Sequence, residues 1–484
     1  MTLRAGDLRF VSSRLVRTAV VDVGSDPRLT EVAQGLRESG VVVTDTATSP
    51  VDLLIATAAG PHRTPRPLAR TCVLLGRGGL RDRRMTGRAA LPLTVRGDVT
   101  RPTALVPLRP PDALRHYLSV VAAPRASRER ARNRAVTAAL RLRLPVQRIS
   151  PATTLTVVGE HSAEQGAPAM VAAAAHLGVP VDVCWMLALG SGDDLQRAVF
   201  HLLDRGSPRW VLKFCRVPGV DAPFVRDQKG LQLAHAAGPA VTAHSPTHLG
   251  RFELGGSAAS LETAAPGRPL LELLNGRPLS LVDDIADWVI RMGTATADSS
   301  AALGPERDRL IRFVLPRWTR AGGPGDIVER LPPLPAVLQH NDLGSWNIIS
   351  DGHSFAAVDW ESARAAGLPL WDLLYLLADV LARMDGPAAP EILLERAIAL
   401  FAGRSRHSQR LFRWVRAAVA ALALPHQSVG PLAALCWMHH GLSPLGRSVA
   451  LAGAPAAPTG HLARMGDAWL AHPELGVRWS AWSA

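Results

Sequence analysis

Between Thr154 and Ala264 the chain keeps returning to short apolar runs broken by Gly, Pro and Asp. Beyond Pro278 it turns to long stretches with apolar residues at helical spacing. Strands first and helices afterwards is the order of an α+β fold, because elements segregated in sequence pack as segregated layers. The strand-rich part runs through "TLTVVG", "VDVCWMLALG", the turn "GSGDD", "AVFHLL", "DRGSPR" and "WVLKFCR", which reads as a β-meander. A helix is expected over "FVRDQKGLQLAHAAG", ended by Gly238, followed by strands at "HLGRFELGG" and "SAASLETA". Residues 17–57 have another rhythm, strand, helix, strand, strand, and read as a small α/β region. Its "VDVGS" invites comparison with a nucleotide-binding strand end but lacks GxGxxG, so a domain without a live cofactor site is the plainer expectation. Three parts follow: an α/β domain with a basic helical linker over 1–150, a β-rich lobe over 151–278 and a helical lobe over 279–484.

With 484 residues the chain is too long for one ordinary core, and 47% hydrophobic residues are enough to fill two or three. Of its 54 basic residues only Lys213 and Lys229 are lysines, and the rest are arginines. With the excess of Ala, Gly and Pro this is the composition of a GC-rich bacterial genome. The net charge of +13 suits an anionic partner. Yet the arginines are scattered, and the run Arg125 to Arg134 reads as a solvated helix face. Without an aromatic-rich basic stripe no nucleic-acid partner is expected, and the twelve tryptophans read as packing residues. Cys72, Cys184, Cys215 and Cys436 lie far apart without CxxC spacing, which argues against zinc and fits a reducing cytosol. No signal peptide and no apolar run of ~18 residues is visible, so a cytoplasmic protein without a transmembrane segment is expected. "MHHG", with His439 and His440, reads as a helix end rather than a metal site.

The chemistry is concentrated in "LQHNDLGSWNII", Leu338 to Ile349, and "AVDWE" after it. Phosphoryl transfer from a nucleotide needs a Gly-rich turn, a cation on a neighbouring strand, a carboxylate near the acceptor hydroxyl and oxygen ligands for Mg²⁺. Asp342 is the candidate base, ionised in a polar loop at neutral pH. Asn347, five residues on, offers a neutral oxygen to the metal, and Asp359 an anionic one. His340 is expected to fix the loop by hydrogen bonds. Lys213 stands in a strand on the face opposite Leu212 and Phe214. A chain that writes almost every cation as Arg spends a lysine there, which suits a compact point charge for phosphates. Asp227 on the next helix is the acid expected to orient it. "LGSGDD", with Gly190 and Gly192, is either the phosphate-covering turn or an ordinary hairpin.

"HNDLGSWNII", then "AVDWE", then "GLPLWDLLYLL" resembles the aminoglycoside phosphotransferase family, which includes choline-kinase-like enzymes and has a protein-kinase-like bilobal fold. The family pattern, His-x-Asp-x-x-x-x-Asn, an Asp at a strand end and Gly-x-Pro-x-x-Asp-Leu, is present in order. The resemblance covers residues from about 180 to about 445. It implies that Asp342 is the catalytic Asp, that Asn347 and Asp359 are metal ligands and that Lys213 is the nucleotide lysine. It makes "LETAAPGRPL" similar to the inter-lobe hinge, where backbone near Glu262 to Ala264 meets the adenine. It makes Asp372 a structural carboxylate beneath the catalytic loop. Two departures stand out: Asn341, where many relatives have Gly, and Asp227, where the family usually has Glu.

The function expected is ATP- or GTP-dependent, Mg²⁺-dependent phosphorylation of a hydroxyl on an aminoglycoside, another sugar, an amino alcohol or a cell-envelope glycan precursor. The alternatives are a nucleotide-binding pseudokinase acting as a scaffold and a basic adaptor at an anionic surface. No partner of residues 1–150 is readable.

Overall fold

The computed structural model describes residues 3–24, 26–46, 49–57, 69–77, 90–122, 127–142, 153–159, 167–190, 197–274, 280–300, 303–450 and 460–482. The chain divides into two compact units, Met1–Phe224 with Thr247–Ala265, and Val225–Pro246 with Pro266–Ala484.

The first unit is built on one twelve-stranded sheet. Its strands are β1 (Thr18–Val21), β2 (Val42–Thr44), β3 (Val51–Thr57), β4 (Ala69–Arg77), β5 (Ala90–Asp98), β6 (Arg101–Pro107), β7 (Thr153–Gly159), β8 (Cys184–Ala188), β9 (Ala198–Asp204), β10 (Ser207–Phe214), β11 (His248–Leu254) and β12 (Ser257–Thr263). They lie in the order β11-β12-β10-β9-β8-β6-β5-β7-β4-β3-β1-β2. At one end β2, β1, β3 and β4 are parallel. Parallel strands are covered on both faces, and accordingly Leu53, Leu54, Ile55 and Ala56 of β3 are all buried. The helix Arg28–Glu38 contributes Leu29, Val32, Ala33 and Leu36 to the same core. At the other end β8 to β12 form the antiparallel meander read from the turn signals.

The sheet joins what the sequence divided. β7, expected to begin the meander, pairs instead with β4 and β5, and β6 pairs with β8. Leu53 and Val73 of the parallel strands share one apolar core with Phe200, Leu212, Phe214 and Leu261 of the meander. Phe10 stands edge-on to Phe214 at 4.7 Å. The boundary expected near residue 150 thus falls inside one hydrogen-bonded sheet.

The second unit is mostly helical, packed around one large core. The helix Trp371–Arg383 is buried on almost every side, as a sequence apolar all round apart from Asp372, Asp379 and Arg383 requires. The helices Leu281–Thr296, Ser408–Ala421 and Val429–Ala450 pack against it. Trp437, Trp469 and Trp479 are buried in that core and Trp482 packs on it, so these tryptophans serve packing. His439 and His440 lie within the helix Val429–Ala450 and not at its end, because the apolar pattern continues past them. Two small sheets carry the polar loops: β13 (Arg268–Pro269), β15 (Ile348–Ser350) and β16 (Phe355–Ala357) in one, β14 (Val337–Gln339) and β17 (Arg364–Gly367) in the other. Gly367 is required where it stands, since a Cβ there would lie 1.9 Å from Gln339 Oε1. Among the described residues no helix is long and apolar enough to cross a membrane.

Candidate active site

The loop from His340 to Asn347 leaves β14 and returns as β15. Its entry is pinned from below by Asp372, near the start of the helix Trp371–Arg383. The His340 amide donates to Asp372 Oδ2 at 2.6 Å and the Asn341 amide to Oδ1 at 2.8 Å. Asp372 is buried, and burial pushes its carboxyl up to about 6 although both amides work the other way. Asn341 has φ 64°. Asn tolerates this left-handed conformation better than other residues with a side chain, so it fills a position that Gly fills in many relatives. His340 is fully buried, and its Nε2–H donates to the Val358 carbonyl at 3.0 Å, which ties the loop to the strand end carrying Asp359. A second buried carboxylate, Asp379, accepts from the Ser345 amide at 2.9 Å and from Arg383 Nε at 2.6 Å. Burial pushes its carboxyl up, but the buried His461 ring, 3.2 Å away, together with Arg383 and Ser345 holds it down at about 2.

Held this way, the loop leaves Asp342 partly exposed. Asn347 Nδ2 donates to the Asp342 carbonyl at 2.9 Å and to its Oδ2 at 3.0 Å. Tyr375 OH donates to Oδ1 at 3.3 Å. With its amide nitrogen spent on Asp342, Asn347 keeps a side-chain oxygen for a cation. The Val358 amide donates to the Asn347 carbonyl at 2.9 Å, which brings Asp359 beside Asn347. Asp359 also sits in the left-handed region, at φ 68°. One carboxylate and one amide oxygen, completed by phosphate oxygens and water, suit Mg²⁺, which seldom takes an all-protein shell.

Asp227 meets a partner that the sequence did not suggest. Its Oδ1 accepts the Trp360 amide at 2.7 Å, one residue past Asp359. Gly230, on the same face of the helix Ala222–Ala236, has room for no side chain because a Cβ would lie 2.2 Å from the Trp360 carbonyl. The helix therefore supports the turn that carries Asp359. Lys213, in the first unit, has an acid beside it: Nζ is 2.8 Å from Glu262 Oε1, with side-chain exposures of 10% and 3%. β10 and β12 pair Lys213 with Ser260 and Val211 with Glu262, so the two side chains come from adjoining ranks of the sheet. The short Asp227 side chain, already noted as a departure, serves a backbone amide in the second unit.

Of the expected hinge at Glu262 to Ala264, the first two residues end β12 and Ala264 follows it. Glu262 turns its carboxylate to Lys213, and the Ala264 amide donates to the Arg209 carbonyl at 3.0 Å. The Gly-rich turn is described only at its start. The Gly190 amide donates to the Thr103 carbonyl at 3.2 Å, and the Gly190 carbonyl accepts from Arg4. Gly192 lies outside the described residues. Behind this turn, buried Arg216 pairs with buried Asp7 at 3.1 Å and donates to the Leu189 carbonyl. Arg4 and Asp7 thus brace Leu189 and Gly190, the first through its own bond and the second through Arg216.

Sequence reasoning missed Glu262 as the lysine's partner, and it missed Tyr375 and Asp379. Tyr375 and Asp379 had a signal: at three and seven residues after Asp372 they fall on one helix face with it. Tyr375 is also one of only two tyrosines in the chain.

The first unit thus carries a buried lysine on a strand pair, and the second a loop that joins Asp342, Asn347 and the strand end before Asp359. Residues 189–409 match the model of the phosphotransferase enzyme family, APH. The recognition, the fold class and the enzyme class expected from the sequence are borne out by that match, which spans somewhat less than half of the chain: this part is that of a phosphotransferase. None of the curated proteins compared with the chain matches it. Among solved structures, the chain is similar to aminoglycoside phosphotransferase APH(3'')-Id from Streptomyces rimosus in complex with ADP and streptomycin (18% identity, 48% of this chain and 88% of that one, TM-score 0.30). It is similar to aminoglycoside-3'-phosphotransferase of type VIII (17%, 51% and 99%, TM-score 0.30). It is also similar to WbdD (11%, 88% and 87%, TM-score 0.28). Likeness at this level carries no argument about substrate.

Proposed function

We propose that the protein transfers the γ-phosphoryl group of ATP or GTP to a hydroxyl of a small molecule. The observation that carries this reading is the contact of Asn347 with Asp342 on one side and with the Val358–Asp359 strand end on the other. It sets a base and two metal-binding oxygens on one short circuit, as in-line transfer requires. Asp342 orients the acceptor hydroxyl and takes its proton. The new bond forms between the acceptor oxygen and the γ-phosphorus. The bond from that phosphorus to the bridging oxygen breaks, and the nucleoside diphosphate leaves. Mg²⁺, held by Asn347 and Asp359, would neutralise charge on the phosphates. Lys213, kept in place by Glu262, offers its point charge to the α- and β-phosphates. Asp372 and His340 act through the loop and Asp227 through Trp360.

The test is steady-state turnover with Mg-ATP. Asp342→Ala and Asp359→Ala should each abolish it, and nucleotide binding should survive better in Asp342→Ala. A full-rate Asp342→Ala protein would sink the mechanism.

A further inference from the structure

A continuous run of contacts in the second unit leads away from Asp342, and phosphoryl transfer as described above does not use it. Tyr375, on Asp342, stacks on His440 with ring centroids 3.9 Å apart. His440 adjoins His439, their rings 5.0 Å apart. His439 Nδ1 lies 3.3 Å from Arg309 Nη1. A guanidinium only donates, so this nitrogen accepts and the His439 proton sits on Nε2. Arg309 grips Glu306 through two bonds, at 2.8 and 2.6 Å, and Arg364 Nη1 donates to Glu306 Oε2 at 2.9 Å. Arg364 in β17 is in register with Gln339 in β14, three residues before Asp342. The run therefore leaves the catalytic loop at Asp342 and comes back to it at Gln339.

At its far end two guanidiniums share the single carboxylate of Glu306, and they stay partly open, at 19% for Arg309 and 32% for Arg364 against 4% for Glu306. Burial, with Arg309 adding to it, pulls His440 down to about 3, and His439 is pulled well below its ordinary value, so both rings are neutral at working pH. The nearby carboxylates of Asp372 and Asp379 are spent on loop amides and on Arg383. His440 Nε2 and Arg364 Nε, both buried on the run, have no hydrogen-bond partner among the described residues. A buried polar atom without a partner is costly, and an incoming ligand that supplies one removes the cost.

We propose that this wall receives the acceptor, and that the acceptor is a hydroxyl compound carrying an anionic oxygen group, a carboxylate or a phosphate. Arg364 takes the anionic group with the part of its guanidinium not committed to Glu306, since such a planar fork matches these oxygens, and Arg309, held by Glu306 and His439, adds its charge. Asp342 faces the hydroxyl. A polycationic aminoglycoside would meet like charge on this wall, which rejects it as effectively as a good contact selects. The inference rests on the phosphotransferase reading and narrows its substrate.

The experiment measures nucleoside diphosphate release by the full chain with Mg-ATP. Acceptors are neutral hexoses, the matching hexuronates and hexose phosphates, polyol phosphates, and kanamycin. The best acceptor should be anionic, with kcat/KM at least ten-fold above its neutral parent, and the hexuronate and phosphate arms tell carboxylate from phosphate. Arg364→Gln should raise KM for that acceptor at least ten-fold and leave KM for ATP unchanged. Arg364→Lys, which keeps the charge, should restore part of the loss and guards against a Gln variant that folds poorly. A neutral sugar or kanamycin as best acceptor overturns the inference. So does an unchanged KM in Arg364→Gln, or the failure of every anionic compound to exceed the rate without acceptor. Asp342→Ala separates the two levels. Turnover of kanamycin that depends on Asp342 removes only this inference, whereas turnover indifferent to Asp342 removes the phosphotransferase reading itself.

Discussion

Asn347 donates twice to Asp342, at 2.9 Å to its backbone carbonyl and 3.0 Å to its carboxylate. The proposed metal ligand is thereby also the residue that aims the proposed base. Asn347→Asp keeps an oxygen for the cation but sets a second carboxylate against Asp342. We expect kcat to fall by a factor of about 100 or more, the size of effect that follows when general base catalysis is disabled. Steady-state kinetics at saturating Mg-ATP checks this; a rate within two-fold or so of wild type would refute the double role.

Tyr375→Phe isolates the hydroxyl on Asp342 Oδ1 while the ring keeps its stack on His440. A hydrogen bond to a charged group is worth about 1.5–3 kcal/mol, so kcat should drop roughly ten- to one-hundred-fold. KM for the nucleotide and the melting temperature should barely move. A fall in melting temperature of many degrees would point to a packing role for Tyr375.

The contact between Lys213 and Glu262 can be measured as coupling. A double-mutant cycle of Lys213→Ala with Glu262→Gln, read out as nucleotide affinity, should give an interaction of about 1 kcal/mol or more, as contacting charges do. An additive cycle would refute the pairing. Asp227→Ala should lower kcat through the Trp360 turn more than it lowers nucleotide affinity.

Burial raises the Glu272 carboxyl to about 7, with Arg268 pulling weakly the other way. Its folded value is above its unfolded one, so the stability it contributes is complete at low pH, below its unfolded value. That contribution declines as pH rises and is lost once pH passes about 7. Glu272→Gln cannot ionise. Its melting temperature relative to wild type should therefore climb between pH 5 and pH 8, and a constant difference across that range would show that Glu272 titrates normally.

The loop from His340 to Asn347 was legible because its pattern is local. The spacing His340, Asp342, Asn347 is fixed within one loop, and Asp359 and Asp372 follow within a few turns of chain. Lys213 stood out by composition alone. What was hidden was long-range. Glu262 lies 49 residues after Lys213, and only strand register brings them together. Asp227 sits on the helix after the lysine, and no local pattern shows its bond to a backbone amide 133 residues later. The continuity of the sheet across residue 150 was hidden for the same reason. Apolar runs reveal strands but not neighbours, and nothing in "TLTVVG" says that it pairs backwards with β4 and β5.

The continuous sheet has a practical consequence for anyone wishing to study the phosphotransferase portion by itself. The family match begins at residue 189, one residue past β8. A fragment cut there would strip β9 of its neighbour and leave a bare row of amides and carbonyls along Phe200 and Leu202, an open invitation to edge-to-edge aggregation. Conserved chemistry and autonomous folding have different borders in this chain, and the second reaches back to the first few residues.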